Sequence, residues 1–187
     1  MRSIFLVFAL FVFSVAPMQA VAEESPPLHL NRAQSVINAF QVICQLELPK
    51  LDFKHIDLKA TAMHMVLQID ESAPSAENTV TRSKAWIGTL TDGPFSLLLD
   101  EMSGANGRAT SCAIVADVPD RDAFRAEAIR TMKLPRAPAP ELRSDGSRSY
   151  FWDGALGPET TVLVRDFAPA GKPGVMLKLL LKVGPGI

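Results

Sequence analysis

The sequence predicts an α+β domain: an antiparallel sheet of five or six strands in α-α-β-β-β-α-β-β-β order, with the helices packed on one face. Three observations predict it. Apolar residues recur at spacings of three and four from Ala33 onward. From Lys84 the period changes to two, and the alternating segments are separated by short turns. After Asp120 the helical period returns once, and alternation then resumes to the end of the chain.

The first element is an address. Arg2 supplies a positive start, Ile4 to Val15 form a 12-residue apolar run interrupted only by Ser14, and Pro17 ends it. Ala20-Val21-Ala22 then offers small residues where a signal peptidase reads. Residues 1–22 are therefore expected to be a signal peptide. The run is too short for a spanning helix, which needs roughly 20 residues. No integral membrane segment is expected after processing, because Lys178 and Lys182 interrupt the apolar stretch Val175 to Val183. The expected location is periplasmic or secreted. Residues 23–30 are polar and Pro-rich and read as a flexible N-terminus of the processed chain, and residues 31–187 as a single α+β domain.

Asn31 is a suitable N-cap, with Gln34 at the capping-box position. Ala33, Val36, Ile37, Phe40, Ile43 and Cys44 make one apolar face, and Pro49 stops the helix. Asp52 caps a second helix with a stripe at Phe53, Ile56, Ala60, Met63 and Leu67. Met63, Met65, Leu67 and Ile69 also alternate as a strand would; the helix is placed to about residue 66. Glu71 to Arg82, containing Pro74, reads as a mobile loop.

Strands follow at Ala85 to Leu90, Phe95 to Glu101 and Arg108 to Ala116, joined by turns at 91–94 and 103–107. Asp120 caps a third helix with Phe124, Ala128, Ile129 and Met132 inward, and Pro135, Pro138 and Pro140 form a stiff connector. The last strands are Ser147 to Asp153, Thr161 to Phe167 and Val175 to Val183. Two three-strand meanders around a helix permit a duplicated half-domain.

Cys44 and Cys112 are the two cysteines. In an oxidising compartment such a pair bridges, closing a loop of roughly 69 residues; the alternative is two buried free thiols. Thr110, Cys112 and Ile114 share one strand face, and a helix carrying Cys44 on its apolar side is a natural cover for it. An apolar signal, then Phe40 to Cys44 as F-x-x-x-C, a strand bearing Trp86 and a later strand bearing Cys112 resembles small exported alphaproteobacterial proteins of unassigned role with a two-cysteine pattern. The resemblance spans most of the processed chain. It implies an envelope location and nothing about chemistry.

The full chain carries a formal net charge of −1 without a Lys/Arg cluster, which argues against nucleic acid as a partner. No G-x-S-x-G, H-E-x-x-H, calcium-loop or glycine-rich phosphate motif occurs, and no cofactor signature is present. Met63, His64 and Met65 carry ligand types that suit copper, against a reading as core methionines beside an exposed histidine. His55 or His64 could serve as the base of an envelope hydrolase. Tyr150 and Trp152, with Trp86, form either core packing or an aromatic binding patch, depending on which sheet face is open. The missing motifs favour a non-catalytic binding or accessory module of the envelope, whose partner is an envelope protein or a small ligand.

Overall fold

A computed structural model describes residues 31–72, 79–104, 107–167 and 174–184. The expected signal peptide and the 23–30 segment lie outside the described residues, as do part of the turn expected at 103–107 and most of the connection between the strands expected at Thr161 to Phe167 and Val175 to Val183.

Helix α1 (Arg32–Ile43) starts where the sequence places it: the Asn31 side chain accepts a hydrogen bond from the Gln34 amide at 2.9 Å. Val36, Ile37, Phe40 and Ile43 are fully buried. Arg32 anchors this helix end to the sheet. Its guanidinium donates to Asp92 at 2.8 Å, to the Gly93 and Pro94 carbonyls, and to the Asp117 carbonyl at 3.2 Å. A single 3-10 turn (Gln45–Glu47) leads to Pro49 and then to α2 (Phe53–Ala62), capped by Asp52.

Helix α2 ends earlier than the expected residue 66. His64 takes a left-handed backbone (φ 54°), its amide donates to Thr61 O at 3.0 Å, and the Met65 amide donates to Ala60 O at 2.9 Å. These two bonds make a Schellman motif with His64 in the position usually held by glycine. The chain reverses there, and the alternation from Met65 to Ile69 becomes strand β1 (Val66–Ser72).

Strand β2 (Thr79–Leu90) begins within the stretch expected to be a mobile loop, and only residues 73–78 of that stretch lie outside the described ones. Its polar first half pairs with β3 (Gly93–Gly104), Ser83 opposite Asp100 and Val80 opposite Met102. Polarity there reflects the side-chain environment, not loss of the backbone ladder. β4 (Gly107–Asp117) completes the first meander. Helix α3 (Arg121–Met132), capped by Asp120, buries Phe124, Ala128 and Met132. The short β5 (Glu141–Leu142) then leads into β6 (Arg148–Asp153), β7 (Thr160–Phe167) and β8 (Gly174–Val183).

The sheet therefore has eight strands, not five or six. β1 was hidden in a stripe with helical spacing, and the two-residue β5 is too short to show a period. All ladders are antiparallel, in the order β1-β2-β3-β4-β8-β7-β6-β5. The order is a palindrome about the β4–β8 pair. Each half is a four-strand meander preceded by helix, so the expected three-strand meanders are each one strand longer.

The three helices among the described residues lie on one sheet face. Cys44, the cap residue of α1, is bonded to Cys112 on β4, with Cα atoms 5.6 Å apart. The Asp57 carboxylate on α2 receives a hydrogen bond from Lys84 on β2, and Arg125 on α3 donates to Asp166 on β7. Under the helices the sheet presents Phe95, Leu97 and Leu99, then Cys112, Ile114 and Ala116, then Leu177 and Leu179, then Val162 and Val164. Each large side chain buried here contributes about 1.5–3 kcal/mol of transfer free energy. Strand parity sends alternate residues to the opposite face, which no helix covers among the described residues.

Candidate functional site

The helix-free face is built in register rows that run across the strands. One row joins Lys178 to Ala113, Leu98, Ala85 and Ile69, each opposite the next, on β8, β4, β3, β2 and β1. A second, parallel row joins Met176, Val115, Ser96, Ile87 and Val66. A third joins Leu180, Ser111, Asp100, Ser83 and Glu71. The first two rows are apolar apart from Lys178 and Ser96; the third is mostly polar.

Leu98, Val115, Met176, Leu180, Leu163 and Phe151 are half-buried on this face, and Val66, Ile69, Ile87 and Val80 are exposed. Ala113 and Ala85 are only 2% and 6% exposed although no helix among the described residues lies over them. These two small side chains flank Leu98 in the first row. The polar row is tied together: Ser83 Oγ donates to Asp100 at 2.7 Å and Ser111 Oγ to the other oxygen of the same carboxylate at 3.4 Å.

Lys178 stands out on this surface. Burial among its strand neighbours holds its ammonium below the usual lysine value, and the Asp100 carboxylate partly opposes that effect. Lys84, on the helix-covered face, is treated differently. Its ammonium lies 3.1 Å from Asp57 and 3.2 Å from Asp70. Among the described residues no carboxylate comes within 4.0 Å of Lys178.

The structure places the sequence-derived candidates elsewhere. Trp86, Tyr150 and Trp152 are all at most 5% exposed and belong to the core under the helices. Tyr150 stacks on Trp152 with ring centroids 6.5 Å apart, and Trp152 Nε1 donates to the Pro135 carbonyl at 3.0 Å. The aromatic patch is thus packing, because parity turns Tyr150 and Trp152 toward α3 and leaves Phe151 on the open face. The three members of Met63-His64-Met65 do not converge. Met65 enters the core, Met63 lines a groove with Val42 and Leu90, and His64 is exposed at the helix end. The left-handed turn at His64 is what separates them. Among the described residues no three His, Cys, Asp or Glu side chains are grouped to hold a metal. His55, in the first turn of α2, has Nδ1 3.4 Å from the Glu47 carboxylate and a 66% exposed side chain, well apart from His64 beyond the last turn.

The open face was missed because its members are ordinary alternating strand residues. One signal was present: Lys178 sits among Val175, Leu177, Leu179 and Leu181 at the opposite parity, on a strand whose other side is entirely core.

The geometry defines an α+β protein with an internal disulfide and a sheet face, partly apolar, that no helix covers among the described residues. No protein-family model, no curated protein and no solved structure matches the chain. No helix among the described residues is long and apolar enough to cross a membrane.

Proposed function

We propose that this chain is a non-catalytic binding module of the cell envelope, exported to the periplasm or beyond, and that it binds through the helix-free face of its sheet. One observation carries this reading. On that face an unbroken apolar row runs from Ala113 through Leu98 and Ala85 to the exposed Ile69, beside the exposed Ile87 and Val66, and contiguous exposed apolar surface marks interaction sites. Export is supported by the signal pattern in residues 1–22 and by the disulfide, a bond that persists in oxidising compartments.

The test is affinity capture from envelope extract with the wild-type chain, a Leu98→Glu variant and a Leu58→Glu variant. Leu58 is exposed on α2, on the opposite layer. Saturable recovery of one component by wild type and Leu58→Glu, lost in Leu98→Glu, supports the reading. Recovery that ignores Leu98, or turnover of a substrate in a hydrolase panel, overturns it.

A further inference from the structure

We propose that the row from Lys178 to Ile69 is a binding lane for a free long-chain fatty acid, its carboxylate on the Lys178 ammonium and its acyl chain laid across β4, β3, β2 and β1. The inference rests on the reading of this face as the binding surface and names the ligand class.

Charge and shape both point to this occupant. Lys178 is the one cation in the row, and every other member is apolar. Its ammonium is partly desolvated without a paired carboxylate, unlike Lys84 with Asp57 and Asp70. A bound anion supplies the missing partner, and a charge-assisted hydrogen bond in such surroundings is stronger than a neutral one. Asp100 does not take that role, because the Ser83 and Ser111 hydroxyls hold its carboxylate on the adjoining row.

From Lys178 to Ile69 the row crosses four strand spacings, about 19 Å. That span is comparable with an extended long acyl chain. The small, buried Ala113 and Ala85 lie along the row on either side of Leu98, and Val115 and Ile87 stand on the adjoining apolar row. The row on the other side carries Asp100 and Glu71. Those carboxylates disfavour an anionic membrane surface, which would meet the whole face, more than a single chain whose one charge is paired with Lys178.

The experiment titrates the purified protein with carboxyl-labelled palmitate below its micelle concentration and follows binding by NMR and calorimetry. Hexadecanol tests the uncharged chain, and phosphatidylglycerol vesicles test a membrane surface. Palmitate is expected to bind one per chain and hexadecanol at least about tenfold more weakly, the loss of one charge-assisted contact. Lys178→Met should reduce palmitate to the hexadecanol level and leave hexadecanol unchanged. Lys182→Met, which removes an exposed charge from the same strand, should change neither.

No palmitate binding, equal binding by Lys178→Met, or vesicle binding in place of palmitate overturns the proposal. If palmitate fails while Leu98→Glu still abolishes capture of an envelope component, the fatty acid is wrong and the binding face stands. If nothing bound depends on Leu98, the face itself is wrong.

Discussion

The guanidinium of Arg125 lies 3.0 Å from the carboxylate of Asp166, a residue only 1% exposed, and the same group sits 4.3 Å above the Tyr150 ring. One side chain of α3 thereby neutralises a buried charge on β7 and covers an aromatic on β6. Arg148 approaches the same carboxylate at 3.6 Å. Replacing Arg125 by Ala leaves Asp166 with only the more distant partner, and a loss of about 3 kcal/mol is expected. Urea unfolding measures it; a change below about 1 kcal/mol would show that the pair is not what holds α3 to the sheet.

The same carboxylate gives a pH signature of unusual sign. Burial pushes Asp166 above the ordinary value of 3.8, with Arg125 and Arg148 pulling it back. The folded chain then binds this proton more tightly than the unfolded chain. Between the ordinary value and the raised one, stability from this group falls as pH rises. Asp122 and Asp145 act oppositely. A hydrogen bond from Arg125 lowers Asp122, hydrogen bonds from Ser147 lower Asp145, and their contributions fade as pH falls through the lowered values. The stability of Asp166→Asn relative to wild type should therefore rise with pH across the Asp166 window and be flat below it. A difference that does not vary with pH refutes this.

Lys84 tests how the helix-covered face handles charge. Its ammonium is buried, while Asp57 and Asp70 are both more than two-fifths exposed. Lys84→Met leaves two carboxylates that water can reach and should cost less than about 1 kcal/mol. Asp57→Asn with Asp70→Asn strands the ammonium and should cost about 3 kcal/mol or more. Equal losses in the two variants would mean that both sides of the pair are desolvated alike.

His64 offers a gain. A side chain in the left-handed region at a helix C-terminus is strained relative to glycine. His64→Gly should raise stability by up to about 1 kcal/mol, while His64→Val should lower it. The urea midpoint reads both at constant slope. A destabilised His64→Gly would show that the imidazole makes a contribution larger than the strain it carries.

Gly88 is the converse case. A Cβ built there would lie 2.7 Å from the Phe95 ring, which is itself buried in the core. Gly88→Ala should lose about 1–3 kcal/mol by overpacking. Gly88→Ala combined with Phe95→Leu should recover part of that loss, because the smaller side chain makes room.

Caps and stripes made α1 and α3 legible, since Asn31 and Asp120 each accept the hydrogen bond that their residue type suggests. The Cys44–Cys112 bond was legible from the expected oxidising compartment and the strand face together. The end of α2 was not. Met63, Met65 and Leu67 satisfy both periods, and the turn at His64 is paid for by backbone hydrogen bonds that leave no composition signal. Lys178 was visible as an interruption, but its meaning needed the register that sets it against Ala113 and Leu163. Strand parity puts Tyr150 and Trp152 on one face, but only the placing of the helix layer decides whether that face is wet.

The cross-link between Cys44 and Cys112 ties α1 to β4, and so lies wholly within the half of the chain that holds the first meander. The described residues beyond Asp120 are fastened to that half by the β4–β8 ladder and the shared core, with no second cross-link. Oxidation therefore closes one half as a loop and leaves the other to be peeled from its β4 seam. Pulling the chain from its C-terminus should unzip β8 before any sulfur bears load, so the seam, and not the covalent bond, sets the force at which this protein first gives way.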